Sequence, residues 1–400
     1  MQQVGFREGN SPCEKWPWVI FSPNRKPNDF GHSIAKMVGQ YSPVIIVDEF
    51  ISARRKPWRW PLCVRAHSVP EISHGLAYAI WHTPERMDRI SAALCRLNVR
   101  RIAKDLDRLL PNQERLIIYD RPSQEPLVGM LRERLRIYLA VDDLTVTVEG
   151  KTLWEDLEAE KRLLSKVDIA VCVSEVLGQR LRERSQPRRT AVHVLSNGYD
   201  AQIFDPKRDS PEPGALSNVS RPRILVAGHI SERIDWKGIV IASALRPAWT
   251  WVFTGPAEQG IRERICNDLG VHGFWHPPIP VTEVPAWISH CEASAVPYRL
   301  NSFTLASCPL KAIEYLAMGA PILSTRIPSL RRYDGAIQWV DEGEGESYVR
   351  ALDAFAKQEC NQQLRVFRQN AVVEDSWSRR VDQFKQIVFA ELRLRTGNPD

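Results

Sequence analysis

The 400-residue sequence predicts an α/β protein built from two parallel-sheet units, and three observations carry that prediction. Short β-branched runs alternate with amphipathic helical stretches along the chain, the signature of parallel α/β architecture. The alternation breaks once, at the Pro/Ser/Gly-rich PKRDSPEPGALSNVSRP (206–222), which has no apolar period, and then restarts. A chain of this length also exceeds one ordinary core and suits two domains of about 150–200 residues. The expected organisation is therefore a first domain at 1–205, a linker at 206–222, a second domain at 223–374 and a terminal helix at 375–400.

The polar start, MQQVGFREGNSPCEKW, lacks the apolar core of a signal peptide and reads as an arm before the first strand. Strands are then expected at WVIFS (18–22), PVIIVD (43–48), AYAIW (77–81), RLIIYD (115–120), RIYLAV (136–141), DIAVCVS (168–174) and AVHVLS (191–196). Between the fifth and sixth, TLWEDLEAEKRLLSKV can place Leu153, Leu157, Leu163, Leu164 and Val167 on one helical face. After the linker come RILVAG (223–228), WTWVFTG (249–255), ASAVP (293–297), PILST (321–325) and AIQWV (336–340). DSWSRRVDQFKQIVFAELRLR (375–395) reads as an amphipathic terminal helix. Two such units joined by a linker place a cleft between them, with ligands at the carboxyl ends of the strands.

The 44% hydrophobic and 26% charged content is that of a globular chain, and no apolar run reaches the roughly 18 residues of a membrane span. The eight cysteines are scattered, with no C-x-x-C pair and no histidine at zinc spacing, so reduced thiols, a cytoplasmic location and no metal are expected. The net charge of +6 is uneven: residues 51–110 hold twelve Lys/Arg against five Asp/Glu. Such a patch favours an anionic partner.

The most informative stretch is PLKAIEYLAMGAPILST. Proline suits a first helical turn and Gly319 a helix end, so a helix of about ten residues should point its N-terminus at the cleft, where the dipole favours an anion. Lys311 and Glu314 then share a face, about 5–6 Å apart at Cβ. A lysine there can neutralise a diphosphate while a glutamate one turn on accepts hydrogen bonds from both ribose hydroxyls. The alternative is a solvated i,i+3 ion pair.

A second acidic feature, Asp142-Asp143, ends the strand in YLAVDD, where catalytic groups of open α/β sheets lie. Either is a candidate general base, and a turn or cap role is the alternative. Asp105-Leu106-Asp107 mimics a D-x-D metal motif but sits in an amphipathic stretch that reads as a solvated helix face. His32 and Asn28, after the first strand, and Asp48, after the second, are candidates for lining the cleft, with structural roles as the alternative. No G-x-G-x-x-G follows a strand, which excludes a nicotinamide dehydrogenase.

PYRLNSFTLASCPLKAIEYLAMGAPILST resembles the donor-site signature of GT-B glycosyltransferases, in the group that includes family 4 and bacterial polysaccharide enzymes. YLAVDDLTVTVEG, E-x-x-L-L-x-K-V-D-I-A-V-C-V-S and VLSNGYDAQIF resemble successive landmarks of that group's first domain. LVAGHISERIDWKG and VFTGP resemble the opening of its second, and SWSRRV the helix that crosses back onto the first. The likeness runs over roughly 17–395 and is weakest in the first 110 residues. It implies two Rossmann-like domains facing each other across a cleft, an acceptor-binding first domain and a second domain that binds a nucleotide sugar.

On that resemblance Glu314 holds the ribose and Lys311 the diphosphate. Arg233 and Lys237 bind phosphates, and Gly228 and Gly255 let backbone approach the ligand. Thr304, with Asn301, Ser302 and Ser307, is placed to contact the donor. Family 4 retaining enzymes carry a glutamate eight positions before the ribose glutamate, and Ala306 stands there instead. The Asp142 region also resembles the inverting xanthan glucuronosyltransferase, whose base aligns with Asp142. The implied activity is metal-independent, inverting transfer from a nucleotide sugar, UDP by family frequency, to a saccharide or lipid-linked acceptor in bacterial polysaccharide or glycoconjugate synthesis. A retaining transferase, a catalytically silent GT-B binding subunit and a sugar-nucleotide epimerase are the alternatives. In this group the Trp/Arg-rich ISARRKPWRWPLC (51–63, within 51–65) implies peripheral contact with anionic membrane at the cytoplasmic face rather than nucleic-acid binding.

Overall fold

The computed structural model describes residues 16–21, 30–40, 42–52, 67–68, 75–82, 100, 102–187, 190–208, 210–357 and 361–396, with 47–52, 67–68, 75–82 and 396 described by backbone alone. The first sheet comprises β1 (Trp18–Phe21), β2 (Val44–Ser52), β3 (His67–Ser68), β4 (Gly75–His82), β5 (Arg115–Tyr119), β6 (Glu133–Ala140), β7 (Ile169–Cys172) and β8 (Ala191–Val194). Their order is β3-β4-β2-β1-β5-β6-β7-β8, parallel except for β3, which runs antiparallel to β4. The second sheet comprises β9 (Arg223–Ala227), β10 (Thr250–Thr254), β11 (Gly273–His276), β12 (Ala293–Val296), β13 (Ile322–Thr325) and β14 (Gln338–Val340). All its pairings are parallel, in the order β11-β10-β9-β12-β13-β14.

Counted within its own domain, that order is 3-2-1-4-5-6, the doubly wound arrangement whose crevice opens where the order reverses. The reversal falls between β9 and β12 in the second sheet and between β1 and β5 in the first. The central strands β1, β5, β7, β9, β10 and β12 are buried on both faces, which is why they read as continuous apolar runs such as Leu116–Ile118 and Ile224–Val226 rather than as alternating ones.

Three details depart from the sequence reading. The second strand runs on through Asp48 to Ser52, with a register irregularity between Asp48 and Phe50, so Asp48 lies inside β2 rather than after it. Strand β11 was not anticipated, because GFWH has no β-branched residue. The largely exposed 206–222 segment is nonetheless anchored: Leu216 is buried, and the buried Arg223 guanidinium donates to the Leu216 and Val219 carbonyls.

One apolar cluster runs from Trp18 and Ile117 of the first domain through Ile313 and Tyr333 of the second to Val381 and Phe384 of the terminal helix. That helix, Trp377–Thr396, lies against the first domain: Phe384 contacts the Trp18 and Phe30 rings and Arg395 pairs with Asp168.

Candidate functional site

At the carboxyl ends of β9 and β10 the backbone turns through Gly228 (φ +128°) and Gly255 (φ +137°). A Cβ at Gly255 would sit 1.9 Å from the Gly228 carbonyl oxygen, so only glycine allows the two strand ends to approach this closely. Above Gly228 lies the stem of Lys311, its Cγ 3.9 Å from where a Cβ would be.

Lys311 belongs to the Leu310–Ala317 helix, which starts after Pro309 and ends at Gly319 (φ +73°). The Gly319 N–H donates to the Leu316 carbonyl and that of Ala320 to the Tyr315 carbonyl, the paired bonds of a Schellman end. The Tyr315 hydroxyl accepts the Ala227 N–H at 2.8 Å and fastens the helix to the end of β9. Lys311 Nζ donates to Glu314 Oε2 at 2.6 Å; the Glu314 side chain is fully buried and that of Lys311 is 22% exposed. A buried carboxylate needs such a partner. The pair is formed, as the alternative reading required, but it is sunk into the strand-end crevice and is not a solvated surface bridge.

Arg233 and Lys237 follow β9. The Arg233 guanidinium carbon stands 4.6 Å from the centroid of the Tyr298 ring, one Nη donates to the His229 carbonyl, and Ile234 bridges to Tyr298. Tyr298 follows β12, so this cation–π contact spans the point where the strand order reverses. Lys237 is exposed at the start of the Trp236–Leu245 helix, its Nζ 3.6 Å from the Cβ position of Gly343. The structure thus brings Gly228, Gly255, Lys311 and Glu314 together at the strand ends, with Arg233 beside them on the His229 carbonyl and Tyr298, while Lys237 lies against Gly343.

Asp142 and Asp143 follow β6 and part company there. Asp142 is half-buried. Asp143 is 1% exposed and paired with Arg180 at 2.8 Å and Arg184 at 3.0 Å, and it also accepts the Thr145 hydroxyl. Burial alone would raise its pKa, but the bonds from Arg184, Thr145 and Arg180 outweigh burial and hold it at about 2. A carboxylate so enclosed and so acidic cannot serve as a base, so the catalytic assignment of Asp143 is corrected: it is an internal counterion. Arg184 also pairs with buried Glu160, which accepts the Tyr138 hydroxyl.

Thr304 is corrected too. It is fully buried, and its hydroxyl donates to the Arg299 carbonyl and accepts the Asn301 N–H, so it is engaged within its own turn. Asn301 caps the Ser302–Ala306 helix by accepting from Phe303 and Thr304, and its amide donates to the Val148 carbonyl. Ser302 donates to the Gly150 carbonyl and Ser307 to that of Thr304. Ala306 is buried at the contact between domains, where its carbonyl accepts the Ser174 hydroxyl.

His32 lies buried in the first turn of the Phe30–Val38 helix, at the carboxyl end of β1. Asn28 and residues 53–65 of the basic patch lie outside the described residues, and Asp48 is described by backbone alone. Asp105 and Asp107 pair with Arg108 and buried Arg115, so the D-x-D look-alike serves its own helix and strand. Sequence reasoning passed over Asp120, which follows β5 beside the first sheet's reversal and accepts from Gln124. The signal was present, since RLIIYD ends as YLAVDD does. Among the described residues no three His, Cys, Asp or Glu side chains gather as metal ligands, and no helix is long and apolar enough to cross a membrane.

Two doubly wound domains, with this crevice at the reversal point of the second and a returning terminal helix, define the GT-B fold of glycosyltransferases. The chain superposes on sucrose-phosphate synthase of Thermosynechococcus elongatus with a TM-score of 0.72 and 14% identity, over 96% of this chain and 100% of the other. For an α,α-trehalose-phosphate synthase (UDP-forming) of Burkholderia vietnamiensis the values are 0.71, 12%, 94% and 97%. For Anabaena HepE in complex with UDP they are 0.64, 14%, 94% and 100%. In sequence the chain is similar, at 24% identity over 228 residues, to the Bacillus subtilis protein named "Putative teichuronic acid biosynthesis glycosyltransferase TuaH". That match spans 55% of this chain and 56% of the relative, about half the length of each. No protein-family model matches the chain.

Proposed function

We propose that this protein is a glycosyltransferase that moves a sugar from a UDP-sugar to a saccharide or lipid-linked saccharide acceptor in bacterial polysaccharide or glycoconjugate synthesis. The observation that carries the reading is the Lys311–Glu314 pair seated against Gly228 at the reversal point of the second sheet. UDP is favoured as the nucleotide because the structurally similar HepE was solved with it.

In this reading the ribose hydroxyls donate to Glu314, and Lys311, released from its internal bond, turns its charge to the diphosphate. Arg233 and Lys237 add cations where negative charge grows on the leaving UDP, and the Leu310–Ala317 N-terminus adds its dipole. Asp142 takes the proton of the acceptor hydroxyl as that oxygen attacks the anomeric carbon. The carbon–oxygen bond to the diphosphate breaks with its electron pair on UDP, and the new glycosidic bond forms with inverted configuration. The charge stabilisation assigned here is supplied by side chains and dipole, without a metal.

Ala306 supports inversion over the family 4 retaining pattern, since alanine brings no carboxylate to the position eight residues before Glu314. The same observation favours a second reading, a catalytically silent nucleotide-binding subunit. Thermal melting with UDP, GDP, ADP and dTDP, followed by a transfer screen over UDP-sugars, separates them. UDP should raise the melting temperature of wild type and Asp142→Asn but not of Glu314→Ala, and Asp142→Asn should lose transfer. A UDP shift without turnover of any donor selects the silent subunit, and four inert nucleotides overturn both readings. Peripheral membrane contact through 51–65 rests on its Arg/Trp composition; flotation with anionic but not neutral liposomes is the expected result.

A further inference from the structure

We propose that Arg180 is a positioning residue that holds the donor-side loop 299–307 in place from the opposite domain, with Asp143 as its seat. This inference rests on the second domain's crevice being the donor site. Arg180 Nη1 carries two N–H bonds and uses both: one to Asp143 Oδ2 at 2.8 Å, the other across the domain boundary to the Ser302 carbonyl at 2.7 Å. Its seat is rigid, because Asp143 is also held by Arg184 and Thr145, and Arg184 in turn by Glu160.

Around the Ser302 carbonyl the loop meets the first domain at three further points. Asn301 donates to Val148 at 2.9 Å and Ser302 to Gly150 at 2.8 Å, while Ser174 donates to the Ala306 carbonyl at 2.5 Å. All of these accept or donate through uncharged groups, so Arg180 contributes the one charge-assisted bond of the set. From the loop a hydrogen-bonded path leads to the phosphate-side cation. The Thr304 hydroxyl donates to the Arg299 carbonyl, and the Arg299 N–H donates to the Arg233 carbonyl at 2.7 Å. The Arg233 side chain lies over Tyr298, the residue just before that loop. Fixing Ser302 from the first domain therefore fixes the backbone from which Arg233 addresses the crevice.

The arrangement makes the inert member of the acidic pair a part of the machinery at one remove. Asp142 is half-buried just after β6, and its neighbour Asp143 anchors the arm that sets the second domain's loop. The two halves of the site are thereby placed relative to each other by adjacent residues of one turn.

The test compares wild type, Arg180→Gln and Arg180→Lys by amide hydrogen exchange and by UDP titration. In Arg180→Gln the amides of 303–307 should exchange faster, while those of Arg223–Ala227 and Thr250–Thr254 keep their rates. UDP affinity should fall about tenfold, the scale of one charge-assisted bond, and Arg180→Lys should restore part of both effects. A lower melting temperature with unchanged loop exchange and unchanged UDP affinity would make Arg180 merely structural and overturn the proposal. If UDP fails to bind wild type, the donor-site reading falls, and the exchange comparison still decides whether Arg180 holds the loop. Asp143→Asn, if it folds, should reproduce the faster exchange, since its amide would no longer fix the guanidinium; Arg180→Gln decides alone if it does not.

Discussion

Replacing Asp143 by Asn would leave two guanidinium groups facing a neutral amide in a buried place. Breaking a buried pair from one side costs about 3–5 kcal/mol, and chemical denaturation at pH 7 should find Asp143→Asn destabilised on that scale. The pH dependence has a definite sign. Asp143 titrates near 2 in the folded protein against 3.8 for an unperturbed aspartate, so the unfolded chain binds its proton more tightly. Its contribution, about 2 kcal/mol, is complete above pH 4 and is lost as pH falls towards 2. The stability gap between wild type and Asp143→Asn, followed by urea unfolding from pH 7 to 2, should therefore narrow by about 2 kcal/mol at the acid end. Asp142→Asn, at a half-buried position, should cost less than Asp143→Asn. Lys311 and Glu314 were legible in the sequence because both belong to one short helix. Asp143 was not: its arginine partners are 37 and 41 residues further on, and nothing local to YLAVDD announces them.

Helix ends and strand ends, rather than their middles, shape the crevice, and two glycines test this. In Gly255→Ala the new methyl would collide with the Gly228 carbonyl, and both are backbone, so neither can swing away. Strain at a positive φ alone costs about 1–3 kcal/mol. We expect a fall in melting temperature together with loss of the UDP shift, because Gly228 and the Lys311 stem above it move with the displaced strand end. Gly319→Ala strains the Schellman end in the same way, with its Cβ 2.4 Å from Arg365 Cγ and 3.0 Å from the Arg365 carbonyl oxygen, but this is the opposite end of the helix from Lys311. It should therefore lower stability while keeping the UDP shift, and the contrast between the two variants is the measurement. At this scale the strands were legible wherever β-branched residues ran unbroken, and so was the Gly319 helix end. The exceptions have physical causes. Acidic Asp48-Glu49 disguised the continuation of β2, and Thr304 looked available because a hydroxyl in a Ser/Thr-rich loop gives no hint that the turn itself will use it.

Three parts of the molecule meet at one buried carboxylate. Asp375 accepts from Arg332 Nη2 at 2.8 Å and from the Tyr333 hydroxyl at 2.6 Å, both of the second domain, and pairs with Arg380 of the terminal helix. Its backbone carbonyl accepts the Tyr199 N–H of the first domain, and the Trp377 N–H donates back to Tyr199. Beyond this point Val381, Phe384 and Val388 enter the core that the first domain shares with the second. With the hub intact, the shared core couples the two sheets, and calorimetry should record one unfolding transition. Asp375→Ala strands two arginines and a tyrosine hydroxyl at the junction, a cost of about 3–5 kcal/mol concentrated at the joint rather than in either sheet. The expected result is two transitions in place of one. Adding UDP should then raise only the transition of the domain holding Lys311 and Glu314, since a ligand stabilises what it binds. Phe384→Ala, which removes the ring between Trp18 and Phe30 but leaves the hub intact, should instead keep a single transition and destabilise it by about 3–5 kcal/mol. A single transition at the wild-type temperature in Asp375→Ala would show that the apolar seam alone joins the domains.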